Sequence, residues 1–223
     1  MSQKSGNTLK VVHISDTHGK HQELCLPEGD VLIHSGDFSV YAIDEETESF
    51  LDWFRNQNFK HKILIAGNHD RTLFESRGFE DKQFNLKDIV YLSDHSLTGQ
   101  CLVNDMRVGA KQIGGKNSVV IDGFTFYGSA WTPSDFQMSF TYYPGEGQEF
   151  WEKVPRDVDV LITHGPAKGM LDNDKGCLDL AERMSDLNIK AHLFGHIHEA
   201  KGQEVKNGVI YSNAAESINV FTL

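Results

Sequence analysis

The chain has 223 residues, enough to close one sizeable core without disulfides or structural metal, and it reads as a single domain over 1–223 with residues 1–8 a flexible N-terminal segment. With 39% hydrophobic and 24% charged residues it has a globular composition; no stretch approaches the ~20 apolar residues of a membrane helix, and residues 1–10 lack the apolar core of a secretory signal, so no membrane is expected and the cytoplasm is the expected compartment. A net charge of -11 argues against a broad nucleic-acid-binding face, and the scattered Cys25, Cys101 and Cys177 argue against a disulfide framework or a thiolate zinc site.

In chain order, β-branched apolar runs alternate with amphipathic segments, the pattern of an α/β sandwich. Strands are predicted over residues 9–14, 30–34, 62–66, 157–163 and 191–194. Residues 44–57, with an acidic first turn and Phe50, Trp53 and Phe54 on one side, read as an amphipathic helix. Residues 176–187 do the same, aligning Cys177, Leu180, Ala181, Met184 and Leu187. Residues 118–128 read as a hairpin turning at Asp122-Gly123, and 204–223 as a second hairpin around Asn207-Gly208 followed by a final strand. Residues 104–117, with Lys111 and Lys116, read as an exposed loop, more simply a solvated excursion than a substrate lid.

Eleven residues are histidine, and several gather into motifs. Five short motifs each follow an apolar strand, where open α/β sheets place their ligands: Asp16-Thr17-His18, Gly36-Asp37, Gly67-Asn68-His69-Asp70, Thr163-His164-Gly165 and Gly195-His196-Ile197-His198. Singly each is an ordinary turn or strand end. Together their carboxylates and imidazoles suit intermediate divalent ions such as manganese, iron, zinc or nickel, and seven candidate ligands are too many for one ion. Residues two apart in extended backbone point the same way, so Asp16 and His18 can grip one ion, and His196 and His198 can do so if their loop kinks. The glycines before Asp37, Asn68 and His196 permit backbone that turns the following side chain back into the cleft.

These five motifs resemble, in order, those of the calcineurin-like metallophosphoesterase superfamily: DxH, GD, GNH[DE], a later H, and GHxH. Longer strings, including Thr163-His164-Gly165-Pro166 and Phe194 to Glu199, are similar to the small metallophosphoesterase-domain-containing branch with class III phosphodiesterase character. The resemblance implies a four-layer α/β/β/α sandwich with mixed sheets and a dinuclear metal site at the C-terminal ends of the strands. It implies two divalent ions, manganese favoured, one held by Asp16, His18 and His198, the other by Asn68, His164 and His196, with Asp37 bridging. It further implies that His69 lies near the phosphate with Asp70 hydrogen-bonded behind it; on chemical grounds His69 is expected to donate the proton and Asn68 to steady the phosphoryl oxygens. The expected reaction is attack on phosphorus by a hydroxide shared between ions about 3.5–4 Å apart. The expected substrate is a small diester, including a cyclic nucleotide; a phosphomonoesterase or protein phosphatase would use the same ligands, and a metal-binding scaffold is the alternative of another class. The oligomeric state is left open.

Other residues have plainer readings. His13, His34 and His192 read as core histidines with backbone partners, and His21, His61 and His95 as surface residues. Trp131, in an aromatic-rich segment after a strand, reads equally as a substrate-lining ring or a loop anchor, and Asp172 and Asp174 read as helix caps.

Overall fold

Apolar side chains alternate along the central strands and so divide between an inner and an outer layer on each sheet. The computed structural model describes residues 8–75, 86–92, 102–103, 111–112 and 117–223. Strands β1 (Lys10–Ile14), β2 (Val31–Ser35), β3 (His61–Ile65), β4 (Val90–Tyr91) and β5 (Leu102–Val103) belong to one sheet, the first four parallel. A second sheet contains β6 (Lys111–Gln112), β7 (Ser118–Ile121) and β8 (Phe124–Ser129). After a short parallel pair, β9 (Thr132–Pro133) with β10 (Thr141–Tyr142), it continues with β11 (Val160–Thr163), β12 (Ala191–Phe194), β13 (Gly202–Lys206) and β14 (Val209–Asn213). The last strand, β15 (Ile218–Thr222), returns to the first sheet and pairs antiparallel with β1.

Val11, Ile33 and Ile63 of the first sheet meet Val119, Phe126, Ile162 and Leu193 of the second in a common buried layer. Their neighbours Val12, Leu32 and Leu64 face outward, against Phe50, Leu51 and Phe54 of α1 (Asp44–Arg55). A short helix, α2 (Arg71–Glu75), follows β3. On the far side, Tyr127 and Leu161 pack with Trp151 of α3 (Gln148–Trp151) and Leu180 of α4 (Leu178–Ser185). The result is the four-layer α/β/β/α sandwich with mixed sheets. Each fully buried Phe of α1 contributes ~1.5–3 kcal/mol by leaving water, and Phe38 stacks on Phe50 with centroids 4.4 Å apart, holding the end of β2 to the helix.

Both hairpins form where the Asp-Gly and Asn-Gly pairs place them. Asp122 and Gly123 have φ of 48° and 91°, and Asn207 and Gly208 53° and 80°, the left-handed pairs that a two-residue hairpin turn requires. Residues 111–112 are not loop but pair with β7, Lys111 opposite Val120; the rest of the predicted excursion, 104–110 and 113–116, lies outside the described residues, as do residues 1–7, His95 and Cys101.

Several polar expectations are corrected. His21 and His61 are 3% and 5% exposed: the first is covered by Phe50 and Trp53, and the second has Nε2 3.5 Å from Asp122 Oδ2. His13 joins the two sheets through hydroxyls rather than backbone, Nδ1 to Ser212 Oγ at 2.8 Å and Nε2 to Ser35 Oγ at 2.9 Å. His192 has a hydroxyl partner too, Thr163 Oγ1 at 2.8 Å, whereas His34 accepts the Gly36 N–H at 3.2 Å. Neither Asp172 nor Asp174 caps α4. Cys177 does, its Sγ accepting from Leu180 N, while Asp172 Oδ2 takes the N–H groups of Gly169 and Gly176, each at 3.0 Å. Among the described residues no helix is long and apolar enough to cross a membrane.

Candidate metal centre

The five motif loops leave the C-terminal ends of β1, β2, β3, β11 and β12. Backbone pairing continues past the strands: Asp16 N–H donates to Gly36 O at 2.9 Å, His18 N–H to Asp37 O at 3.1 Å, and Gly195 N–H to His164 O at 2.9 Å. Each loop therefore departs in register with its neighbour. The chain between β14 and β15 crosses from one sheet to the other here, Ala214 N–H donating to Phe194 O and Glu216 N–H to Ser15 O.

Backbone strain aims the side chains. Asp16, His18, Asp37 and His196 have φ of 54°, 39°, 59° and 67°. Left-handed backbone costs a non-glycine residue of order 1–3 kcal/mol and concentrates at functional sites. Asp16 and His18 thus converge through left-handed turns, not through the alternation of an extended strand. The glycines serve different ends. Gly36 takes a φ of 102°, but Gly67 and Gly195 have no such φ and instead leave room: a methyl at 67 would overlap Asp37, and one at 195 would overlap Asp16 and Ser15.

Two groups of ligand-type atoms result, Asp16 with His18 and His198, and Asp37 with His164 and His196, the atoms in each lying within 4.8 Å of one another. In the second, His164 Nδ1 is 2.9 Å from the Ser35 carbonyl oxygen, which only accepts, so Nδ1 carries a proton and, in the neutral ring, Nε2 presents its lone pair inward. Facing that lone pair are Asp37 Oδ2 at 3.3 Å and Asn68 Oδ1 at 2.9 Å. Three electron-rich atoms converge with no proton among them, a donor set that fits a divalent cation. Without one, the ring must take a proton: burial opposes this, but Asp37 and Asp16 lift His164 to about 9, while His164 in turn holds the buried Asp37 carboxyl well below the usual range.

His18 is oriented in the same way, its Nδ1 3.1 Å from the Ser39 carbonyl. Asp16, fully buried, accepts the His196 N–H at 3.0 Å and lies 3.2 Å from His198 Nε2. Burial pushes His196 down to about 4, with the His164 ring adding to the effect. On the outer side of His198, Nδ1 is 3.7 Å from Glu216 Oε2, an ion-pair contact longer than a hydrogen bond. Sequence reasoning missed Glu216: the crossover that brings it here leaves no local signature.

His69 is half-buried at the mouth, its ring edge-on to His18 at 5.0 Å, and its backbone N–H donates to Asp37 Oδ1 at 2.8 Å. Asp70 does not stand behind it. The Asp70 carboxyl faces the Gly-Asp loop, where Oδ2 accepts from Asp37 N and Gly67 N, both at 2.8 Å, and Oδ1 from Ser39 N at 3.1 Å. Among the described residues no hydrogen bond joins it to the His69 ring. A buried aspartate is too short to turn back on its neighbour once its oxygens have taken these donors. Asn68 Nδ2 points to Met138 Sδ at 3.4 Å, a weak acceptor. Trp131 packs between the two outer apolar layers, 4.4 Å from Phe150, and also lines a cavity of about 480 Å³.

Comparison with known proteins agrees with this arrangement. The calcineurin-like phosphoesterase family model matches residues 9–200. The chain is 33% identical over 92% of its length to human metallophosphoesterase domain-containing protein 1, of which it spans 65%, and 33% identical over 93% of its length to a UPF0046 protein of Caenorhabditis elegans, of which it spans 70%. In fold it is similar to phosphopantetheinyl hydrolase from Mycobacterium tuberculosis, with a TM-score of 0.53 at 15% identity, covering 93% of this chain and 89% of that one. Motif order, the paired groups of ligand-type side chains and a match over most of the sequence lead to one assignment: the chain belongs to the calcineurin-like phosphoesterase family.

Proposed function

We propose that the chain is a metal-dependent phosphodiesterase acting on a small diester, with Asp16, His18 and His198 holding one divalent ion, Asn68, His164 and His196 the other, and Asp37 between them. The observation that carries this reading is the convergence of ligand atoms from four separate loops into two groups, with Asn68 Oδ1 of a fifth loop 2.9 Å from His164 Nε2. Divalent ions held there would acidify an attacking water and offset phosphate charge. Asp16 and Asp37 contribute two negative charges, so a pair of divalent ions leaves a formal +2 centre that favours an anionic ester. Asn68 turns its amide from Met138 Sδ to a phosphoryl oxygen at little cost, because the sulfur is a poor acceptor. His69, at the mouth and unencumbered by Asp70, delivers the proton to the leaving oxygen. The diester preference is supported by the cavity that meets Asn68 through Met138, which gives a second ester group somewhere to lie.

The test compares bis-p-nitrophenyl phosphate with p-nitrophenyl phosphate on manganese-loaded protein. A higher kcat/KM for the monoester would overturn the diester preference, and two bound ions with no turnover of any ester would favour a scaffold. Asp37→Asn should lose metal and activity together. His69→Ala should keep its metal and slow esters of poor leaving groups by about 10²–10⁴, and an even loss across leaving groups would contradict the proton-donor role.

A further inference from the structure

The cavity of about 480 Å³ has a character of its own. Trp131, Phe136, Tyr142, Tyr143 and Phe150 line it. Three of these rings form a fixed wall: Phe150 lies 4.4 Å from Trp131 and 5.1 Å from Tyr142, stacked on the latter at 19°. The Tyr142 hydroxyl is pinned behind, accepting from Trp151 Nε1 at 2.9 Å and lying 3.2 Å from Cys177 Sγ. Phe136 and Tyr143, 77% and 50% exposed, leave apolar ring surface open to an occupant. The charged residues lining it are Glu146 and Glu149, and among the described residues no Lys or Arg side chain lines the space.

That combination selects among occupants. An anion would meet two like charges, and a neutral apolar group would use the rings but strand the carboxylates beside it. An organic cation satisfies both, because the negative faces of aromatic rings and the carboxylates attract it together. The Lys153 ammonium, 5.3 Å from the Phe150 centroid, sets one positive charge against the two carboxylates and leaves the surround net negative. Met138 both lines the cavity and takes the Asn68 amide, so one side chain separates this acidic, aromatic space from the candidate metal centre.

We propose that the cavity receives an organic ammonium group of the substrate, making the ester a zwitterion with its phosphate at the metal centre and its cationic alcohol against the aromatic wall. The identity of the phosphate end rests on the phosphoesterase reading; the preference of the cavity does not. Isotopically labelled, zinc-loaded protein is titrated with choline chloride and separately with its uncharged tert-butyl isostere, following the Trp131 indole N–H resonance, assigned with Trp131→Phe. Choline should bind at least about fivefold more tightly than the isostere, and the Glu146→Gln, Glu149→Gln double variant should erase that difference. Equal affinity for the isostere, a preference untouched in the double variant, or tighter binding of adenosine overturns the proposal. A second arm compares turnover of p-nitrophenyl phosphocholine and its tert-butyl analogue. Choline selectivity without turnover of any ester sinks the phosphoesterase reading and keeps the cavity assignment; turnover without choline selectivity does the reverse.

Discussion

Replacing Asp70 separates a loop-fastening role from a role behind His69. The side chain is 0% exposed and gathers Asp37 N–H, Gly67 N–H and Ser39 N–H, with Ser39 Oγ 3.0 Å from Oδ1. Asp70→Ala leaves these donors in a dry interior. At about 1–3 kcal/mol for each group left unsatisfied, and with a water refilling part of the gap, the loss is about 4 kcal/mol. In a domain of this size that lowers Tm by about 8–16 °C. Asp70→Asn should cost much less, about 1 kcal/mol. Burial and the neighbouring Asp37 charge push the Asp70 carboxyl up to about 8, so near neutral pH it is already largely uncharged. Ser39 Oγ, which can donate to His69 O at 2.9 Å, is then free to accept from Asp70, and an amide nitrogen can take that place with the loss of the Ser39 N–H bond alone. Thermal and urea denaturation of metal-free protein measures both variants without interference from metal loss. Asp70→Ala within about 1 kcal/mol of the parent, or Asp70→Asn as damaging as Asp70→Ala, would refute the reasoning.

Three further perturbations read other parts of the design. Burial pushes His13, His34 and His192 down to about 3, the facing His34 ring adding to the effect at His13, so the unfolded chain binds protons that the folded one refuses between pH 6.5 and about 3. Their stabilising effect is complete above 6.5 and is lost as pH falls through that window, with a slope approaching about 4 kcal/mol per pH unit for the three together; a flat urea-denaturation profile of metal-free protein from pH 6.5 to 4.5 would contradict it. Gly195→Ala forces a methyl onto Asp16 and Ser15 and should lower metal occupancy, measured by elemental analysis, whereas Gly208→Ala, with nothing within 4 Å, should leave occupancy unchanged. Glu216→Gln should weaken metal binding by about two- to fivefold by removing the partly exposed carboxylate 3.7 Å from His198 Nδ1; calorimetric titration showing parental affinity for both ions would remove Glu216 from the site.

The central sandwich was legible because its signals are local. Val31, Leu32 and Ile33 form a run buried on both faces, and Asp122-Gly123 and Asn207-Gly208 carry the backbone freedom that their turns need. The elements missed are short or owe their existence to distant partners. β9 and β10 are two residues each, and their pairing depends on where Phe140 and Tyr142 are anchored, Thr132 N–H donating to Phe140 O and Ser134 N–H to Tyr142 O. β15 has a readable strand pattern, yet its sheet is set by the crossover at the buried Ala214 and Ala215, which carries the chain from one sheet to the other.

The site divides along the same line. Spacing within a motif is visible in sequence, so the residues that gather, Asp16 and Asp37 among them, could be named in advance. What spacing does not carry is the direction a side chain takes once its neighbours compete for it. Asp70 follows His69 directly and is drawn instead to donors at Asp37 and Ser39, more than thirty positions upstream, because burying a carboxyl beside unpaired N–H groups would otherwise leave both unsatisfied. Glu216 has a different origin: the chain segment that ties the two sheets together sets its carboxylate 3.7 Å from the partly exposed His198 Nδ1, an ion-pair contact rather than a hydrogen bond. Seven candidate ligands thus specify where a metal pair would sit, while the Ser35 and Ser39 carbonyls, each holding an imidazole from behind, specify how rigidly it would be held.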